Sequence, residues 1–231
     1  MTQASAYPVA TPTHSDFTLG ITGAGVVKKF SIPLIAASRW IEGTYAEMLA
    51  VVTPATNQLF MITSGNWQGL FRYDGAKWLP YGGGVRTFTD PATFTGAADT
   101  ALNLAKQVVI PAGWMGTKGY LQITAHGRHT SSANLKTYAL QFGGQVLGYS
   151  QISGVGCFGY EYSRRVWNAN SASAQVAMGL GTRSYAQEED NPERTATVDT
   201  TVNQTIAFSI QKDTAGESIS IDGFMLELYP S

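Results

Sequence analysis

Val198-Asp199-Thr200-Thr201-Val202-Asn203-Gln204-Thr205-Ile206-Ala207-Phe208-Ser209-Ile210 opens the stretch that decides the fold. Ile206, Phe208 and Ile210 alternate with small or polar residues, the period of a half-buried strand. The polar run Lys212-Asp213-Thr214-Ala215-Gly216-Glu217 then reads as a turn. A second strand follows with Ile219, Ile221, Phe224, Leu226 and Leu228. Its parity slips by one residue at Asp222-Gly223, and a bulge there puts both apolar sets on one face. Residues 198–228 therefore read as a β-hairpin that needs a sheet to pack on.

The strands upstream and the two just read fit one antiparallel domain. Candidates are residues 104–110, 120–126, 136–142, 145–149, 158–166, 174–180, 204–211 and 218–228. Gly-rich turns separate them, and no internal repeat is present. About eight such strands predict a β-sandwich, most simply a jelly roll. Cys157 lies between Gly156 and Phe158 and is expected to be a buried thiol. As the only cysteine, it excludes an intrachain disulfide and a cysteine-rich metal site.

The N-terminal third is built differently. Residues 1–15 are rich in Thr, Ala, Pro and Ser without a period and read as an extended arm, ordered only by a partner. Phe17, Leu19 and Ile21 begin a short hairpin that returns through Val26 to Ile32, with Lys28-Lys29 as a solvated edge. Thr44 and Glu47 fit a capping box at the start of a short helix, which Pro54 ends. Asp74-Gly75 sits between aromatic runs and predicts a tight hairpin. Trp67, Tyr73 and Trp78 read as the core of a small module. Gly82-Gly83-Gly84 reads as a linker. The expected organisation is an arm at 1–15, a small β-rich module with one helix at 16–84, and an all-β, jelly-roll-like head at 85–231.

Composition narrows the function. Charged residues are 13% of the 231, about half the usual share, while hydrophobic residues at 44% are ordinary. A net charge of -1 gives no electrostatic case for nucleic acid or an anionic membrane. No signal-peptide pattern opens the chain, and no apolar run reaches the length of a membrane span. His126 and His129 are ligand types, but nothing else with ligand spacing sits near them, so they read as loop histidines. Glu188-Glu189-Asp190, with Glu193, is an acidic cluster in a polar stretch. Paired carboxylates serve glycosidases, but consecutive ones in a loop are hard to oppose rigidly, so the cluster reads as solvated. No nucleophile elbow, phosphate loop or zinc motif is present. Catalytic residues, metal ligands and cofactors are therefore not expected.

Four segments in order carry a resemblance. Val108-Val109-Ile110-Pro111-Ala112-Gly113-Trp114-Met115-Gly116 with Gly119-Tyr120-Leu121-Gln122-Ile123-Thr124 is similar to the opening of a jelly-roll domain in tailed-bacteriophage tail proteins. Leu135-Lys136-Thr137-Tyr138 with Phe142-Gly143-Gly144 resembles a later strand of that domain. Arg165-Val166-Trp167-Asn168-Ala169-Asn170-Ser171, ending at Gln175, resembles another, and residues 198–228 resemble its closing hairpin. Residues 45–81 resemble the small module that precedes such heads. The resemblance, to tail-fibre and tail-spike receptor-binding proteins, implies homotrimers on a virion. It implies an N-terminal part attached to other virion proteins and a sandwich facing a host-surface polysaccharide or protein. The family implies no particular contact residues. Among the residues themselves, aromatic and polar types near the head's loops suit sugars: Tyr160, Tyr162 and Trp167, alongside Tyr149 and Phe158. Residues 185–198 read as the head's longest irregular stretch. With Arg183, Tyr185, Glu188, Glu189 and Asp190, that stretch is expected at an exposed end, contributing to receptor choice.

Overall fold

A computed structural model describes residues 17–21, 27–31, 41–184, 187–190 and 193–231, with side chains for 41–179 and 193–231. It is built almost wholly of strands. Strands β1 (Phe17–Ile21) and β2 (Val27–Ser31) pair antiparallel as the alternation predicts. The arm at 1–15 lies outside the described residues.

The small module holds β3 (Ile41–Gly43), β4 (Leu59–Ile62), β5 (Gly69–Tyr73) and β6 (Trp78–Pro80) in one four-stranded sheet, with α1 (Tyr45–Leu49) between β3 and β4 in the chain. The capping box is present. Glu47 N donates to Thr44 Oγ1 at 3.2 Å, and Thr44 N donates to Glu47 Oε2 at 2.6 Å. Asp74-Gly75 makes the expected hairpin turn: Gly75 has φ 106° and Asp74 N donates to Lys77 O at 3.0 Å.

The head contains β7 (Arg86–Asp90), β8 (Phe94–Thr95), β9 (Asn103–Ile110), β10 (Tyr120–His129), β11 (Ser132–Phe142), β12 (Gln145–Gly154) and β13 (Gly159–Asn168). Short strands β14 (Gln175–Met178), β15 (Leu180–Ser184), β16 (Gln187–Asp190) and β17 (Arg194–Ala196) come next, then β18 (Gln204–Lys212) and β19 (Ile219–Tyr229). The large sheet carries β7-β19-β10-β13 in order and the smaller one β9-β18-β11-β12. Setting aside β8 and β14–β17, the remaining eight strands are the jelly-roll arrangement. Strands β14–β17 are an insertion between β13 and β18 that extends the large sheet.

The bulge expected at Asp222-Gly223 is present. His126 pairs with Gly223 and Gly127 with Ile221, so Asp222 is the extra residue. Ile219, Ile221, Phe224, Leu226 and Leu228 are all buried as a result. The expected hairpin is not. Strands β18 and β19 belong to opposite sheets and share no ladder. The polar run at 213–218 crosses from one layer to the other, and Phe208 meets Phe224 across the core with ring centroids 6.3 Å apart. Cys157 is buried as expected.

Candidate functional site

The jelly roll gives the head two ends. At the near end, the β9–β10 segment carries Trp114, which is 2% exposed and enters the aromatic core of the small module. Its ring centroid lies 4.8 Å from Phe71 and 5.5 Å from Trp67, and its Nε1–H donates to Trp78 O at 2.8 Å. A buried polar network pins the same end. Asn168 Nδ2 donates to Gly116 O and Thr200 Oγ1, and Gln175 exchanges bonds with Val198 N and O. Asn168 and Gln175 of the motif quoted above are therefore structural ties between loops.

The far end is formed by the β10–β11 turn, the β12–β13 loop and the β18–β19 crossover. Thr130 N donates to Ser218 O at 2.9 Å, and Ser218 N donates to Thr130 Oγ1 at 2.8 Å. Gly156 N donates to Ser131 Oγ at 2.6 Å, fixing the β12–β13 loop beside the turn. Between those anchors Val155 is 86% and Phe158 65% exposed, two apolar side chains held out on a tied loop. On the outer face of the large sheet nearby, Arg128 Nε lies 2.6 Å from Asp222 Oδ2. A groove of about 250 Å³ opens on the same face between Pro91, Thr124, His126 and Met225.

The expected contact residues separate. Tyr160 and Tyr162 are 5% and 0% exposed and belong to the sandwich core, which corrects their assignment to the receptor surface. Tyr160 packs on Tyr138 at 4.2 Å and Tyr162 on Phe208 at 4.9 Å, and burial raises both phenols far above their ordinary value. Trp167 lies on the outer face in a cross-strand row. Tyr120 is 5.6 Å from it and stacks on Tyr229 at 4.2 Å. The rings face one another, so this row supports the sheet before it offers a surface.

The stretch expected to be irregular contains strands β16 and β17. An edge strand meets water and does not need apolar alternation, which is why the pattern hid it. Strand register puts Ser184 opposite Tyr160 and Gln187 opposite Ser184, so the β15–β16 hairpin ends toward the far end. Arg183 stands opposite Glu161 and Glu188, Glu189 opposite Thr182, and Asp190 opposite Leu180. Tyr185 lies outside the described residues. His126 and His129 are both on β10 rather than in a loop. His129 is buried, and burial, the largest influence, lowers its pKa. Among the described residues no cluster of three metal-ligating side chains occurs. No described helix is long and apolar enough to cross a membrane.

Sequence reasoning named Phe158 but missed Val155. The signal was available: an apolar residue between Gly154 and Gly156 stands on a turn with no strand face to bury it.

No protein-family model matches the chain, and no curated protein sequence does. Solved structures similar to it include the CBM36-1 domain of a multidomain xylanase from the hindgut metagenome of Trinervitermes trinervoides. That likeness has TM-score 0.32 and 14% identity, covering 64% of this chain and 98% of that one. The CBM2 module of the evolved Dit of Lactobacillus casei BL23 phage J-1 is similar at TM-score 0.30 and 12% identity, over 78% of this chain and 93% of that one. The infectious bursal disease virus VP2 subviral particle is similar at TM-score 0.28 and 10% identity, over 81% and 56%. Scores this low carry no argument about function.

Proposed function

We propose that this chain is a virion protein of a tailed phage, of the tail-fibre or tail-spike type. It is made in the host cytoplasm, assembles as a homotrimer, and docks on other virion proteins through its N-terminal part. Its sandwich binds a host-surface receptor, most simply a glycan, and it catalyses no reaction. The sequence resemblance supports this reading. The observation that carries it is the polarity of the head. The small module occupies one end through Trp114, while Val155 and Phe158 stand exposed on a braced loop at the other. A rigid scaffold with loop-borne apolar contacts is a common design for recognition.

Two results test it. Sedimentation of the 24.7 kDa chain at micromolar concentration is expected to show a trimer, and a stable monomer would remove that part. Val155→Ser with Phe158→Ser is expected to reduce adsorption of particles to host cells by about tenfold or more, the scale of losing an interface anchor. Trimer and melting temperature should be nearly unchanged, because both side chains are exposed. Unchanged adsorption would favour a structural baseplate, collar or head-fibre component instead.

A further inference from the structure

A cleft of about 400 Å³ lies at the opposite end from Phe158, in the seam between the small module and the head. Tyr45, Tyr73, Trp78 and Trp114 line it, and Leu49 and Val109, which also line it, are 59% and 51% exposed. The seam is drawn together by Trp114, yet it does not close. That leaves a concave, largely apolar surface of the kind that binds small ligands, with Tyr45 and Tyr73 among its walls and Trp78 and Trp114 mostly buried behind them.

Two polar groups in this lining give it chemical preference. Lys77 reaches across the seam to the β9–β10 segment, where a Cβ built at Gly113 would sit 2.8 Å from its Nζ. Among the described residues Lys77 forms no ion pair; Asp74 accepts from the Lys77 backbone at 2.8 Å rather than from its ammonium. Asn203 uses its Oδ1 to accept from Ala112 N at 2.9 Å, which fixes the side chain and leaves the amide hydrogens as donors.

We propose that this cleft binds an acidic sugar, a pyranose carrying a carboxylate. The apolar C–H face of the ring packs on the open apolar lining, which includes Tyr45, Tyr73, Leu49 and Val109. The carboxylate pairs with Lys77 Nζ, and a ring hydroxyl accepts from the Asn203 amide. A neutral sugar would leave the ammonium unpaired on a partly apolar wall, and a purely apolar ligand would leave both polar groups without partners. This site is separate from the far-end loops, so either can fail without the other.

The test uses the full chain and sodium D-glucuronate, followed by tryptophan fluorescence, since Trp78 and Trp114 line the cleft. The expected result is a saturable change with glucuronate and a response about tenfold weaker in affinity with glucose, the scale of one charge-assisted contact. Lys77→Met is expected to bring glucuronate down to the glucose level with an unchanged melting temperature. Val155→Ser with Phe158→Ser should leave the titration intact. A missing wild-type response, an equal response in Lys77→Met, or the same response to sodium acetate would each overturn the proposal.

Discussion

Trp114→Ala is expected to lower the unfolding free energy by about 3–5 kcal/mol, the range for deleting a fully packed aromatic side chain. The indole is 2% exposed and meets Tyr45, Trp67 and Phe71 of the small module. Its Nε1–H also satisfies Trp78 O, so the variant loses both packing and a buried hydrogen bond. The second tie is Arg86, just past the glycine run. Its guanidinium donates to Leu70 O at 2.7 Å, Tyr81 O at 2.9 Å and Gly84 O at 2.7 Å, and lies 5.1 Å over the Phe71 ring. Trp114→Phe keeps much of the packing and loses the donor, so it should fall between wild type and alanine. Urea titration measures the series. A loss below about 1 kcal/mol for alanine would mean that the indole does not bind the two parts together.

The strands were legible because alternation survives wherever one face is buried. Ile206, Phe208 and Ile210 are each 0% exposed, as their spacing demands. The slip at Asp222-Gly223 was legible for the same reason, since one extra residue is the only way to keep both apolar sets inward. Alternation does not say what lies beside a strand. A strand that buries one face looks the same whether its successor pairs with it or packs across the core. The six-residue polar run after Ile210 is long enough for either, because an extended chain advances about 3.3 Å per residue and packed sheets sit about 10 Å apart. The crossover between layers was therefore hidden, and with it the fact that residues 213–218 help to form the far end.

The candidate site was less legible, although one part of the error could have been avoided. Tyr160 and Tyr162 are two apart and share a face of β13, whereas Trp167 differs from them in parity and takes the other. The three could not all face a receptor from one strand. Choosing which parity is inward needs the partner strand, and Tyr138 and Phe208 supply the core contacts that decide it. Asn168 and Gln175 show the converse. They are polar and spaced like a motif, yet their work is to satisfy buried backbone groups of the loops at the near end.

Lys136→Met is expected to destabilise the protein by about 3–5 kcal/mol, the cost of removing one partner from a buried ion pair. Lys136 is 0% exposed and its Nζ lies 2.9 Å from Glu217 Oε2, a carboxylate whose side chain is 9% exposed. Ser132 Oγ and Asn134 O also accept from the ammonium, and Asn134 Nδ2 donates to Glu217 Oε1. Burial alone would raise the Glu217 carboxyl. Hydrogen bonds from Ser132, Lys136 and Asn134 outweigh that and hold it at about 2, below its ordinary 4.5. The carboxylate's contribution is complete above about pH 4.5 and is lost as the pH falls through about 2. Other carboxylates with lowered values, Asp90 and Asp222 among them, add their own slope, so the comparison must be a difference. Unfolding free energies of wild type and Glu217→Gln, measured at pH 7, 4.5, 3 and 2.5, should lie furthest apart at the first two values and draw steadily closer at the last two, meeting only below about pH 2. A constant difference across that range would mean that the carboxylate's charge does not hold the far end together. In Lys136→Met the surviving carboxylate faces the same enclosure without its cation, so its pKa should rise and its acid transition should move to higher pH. Adding Glu217→Gln to Lys136→Met should recover part of the loss, since the uncompensated charge is then gone.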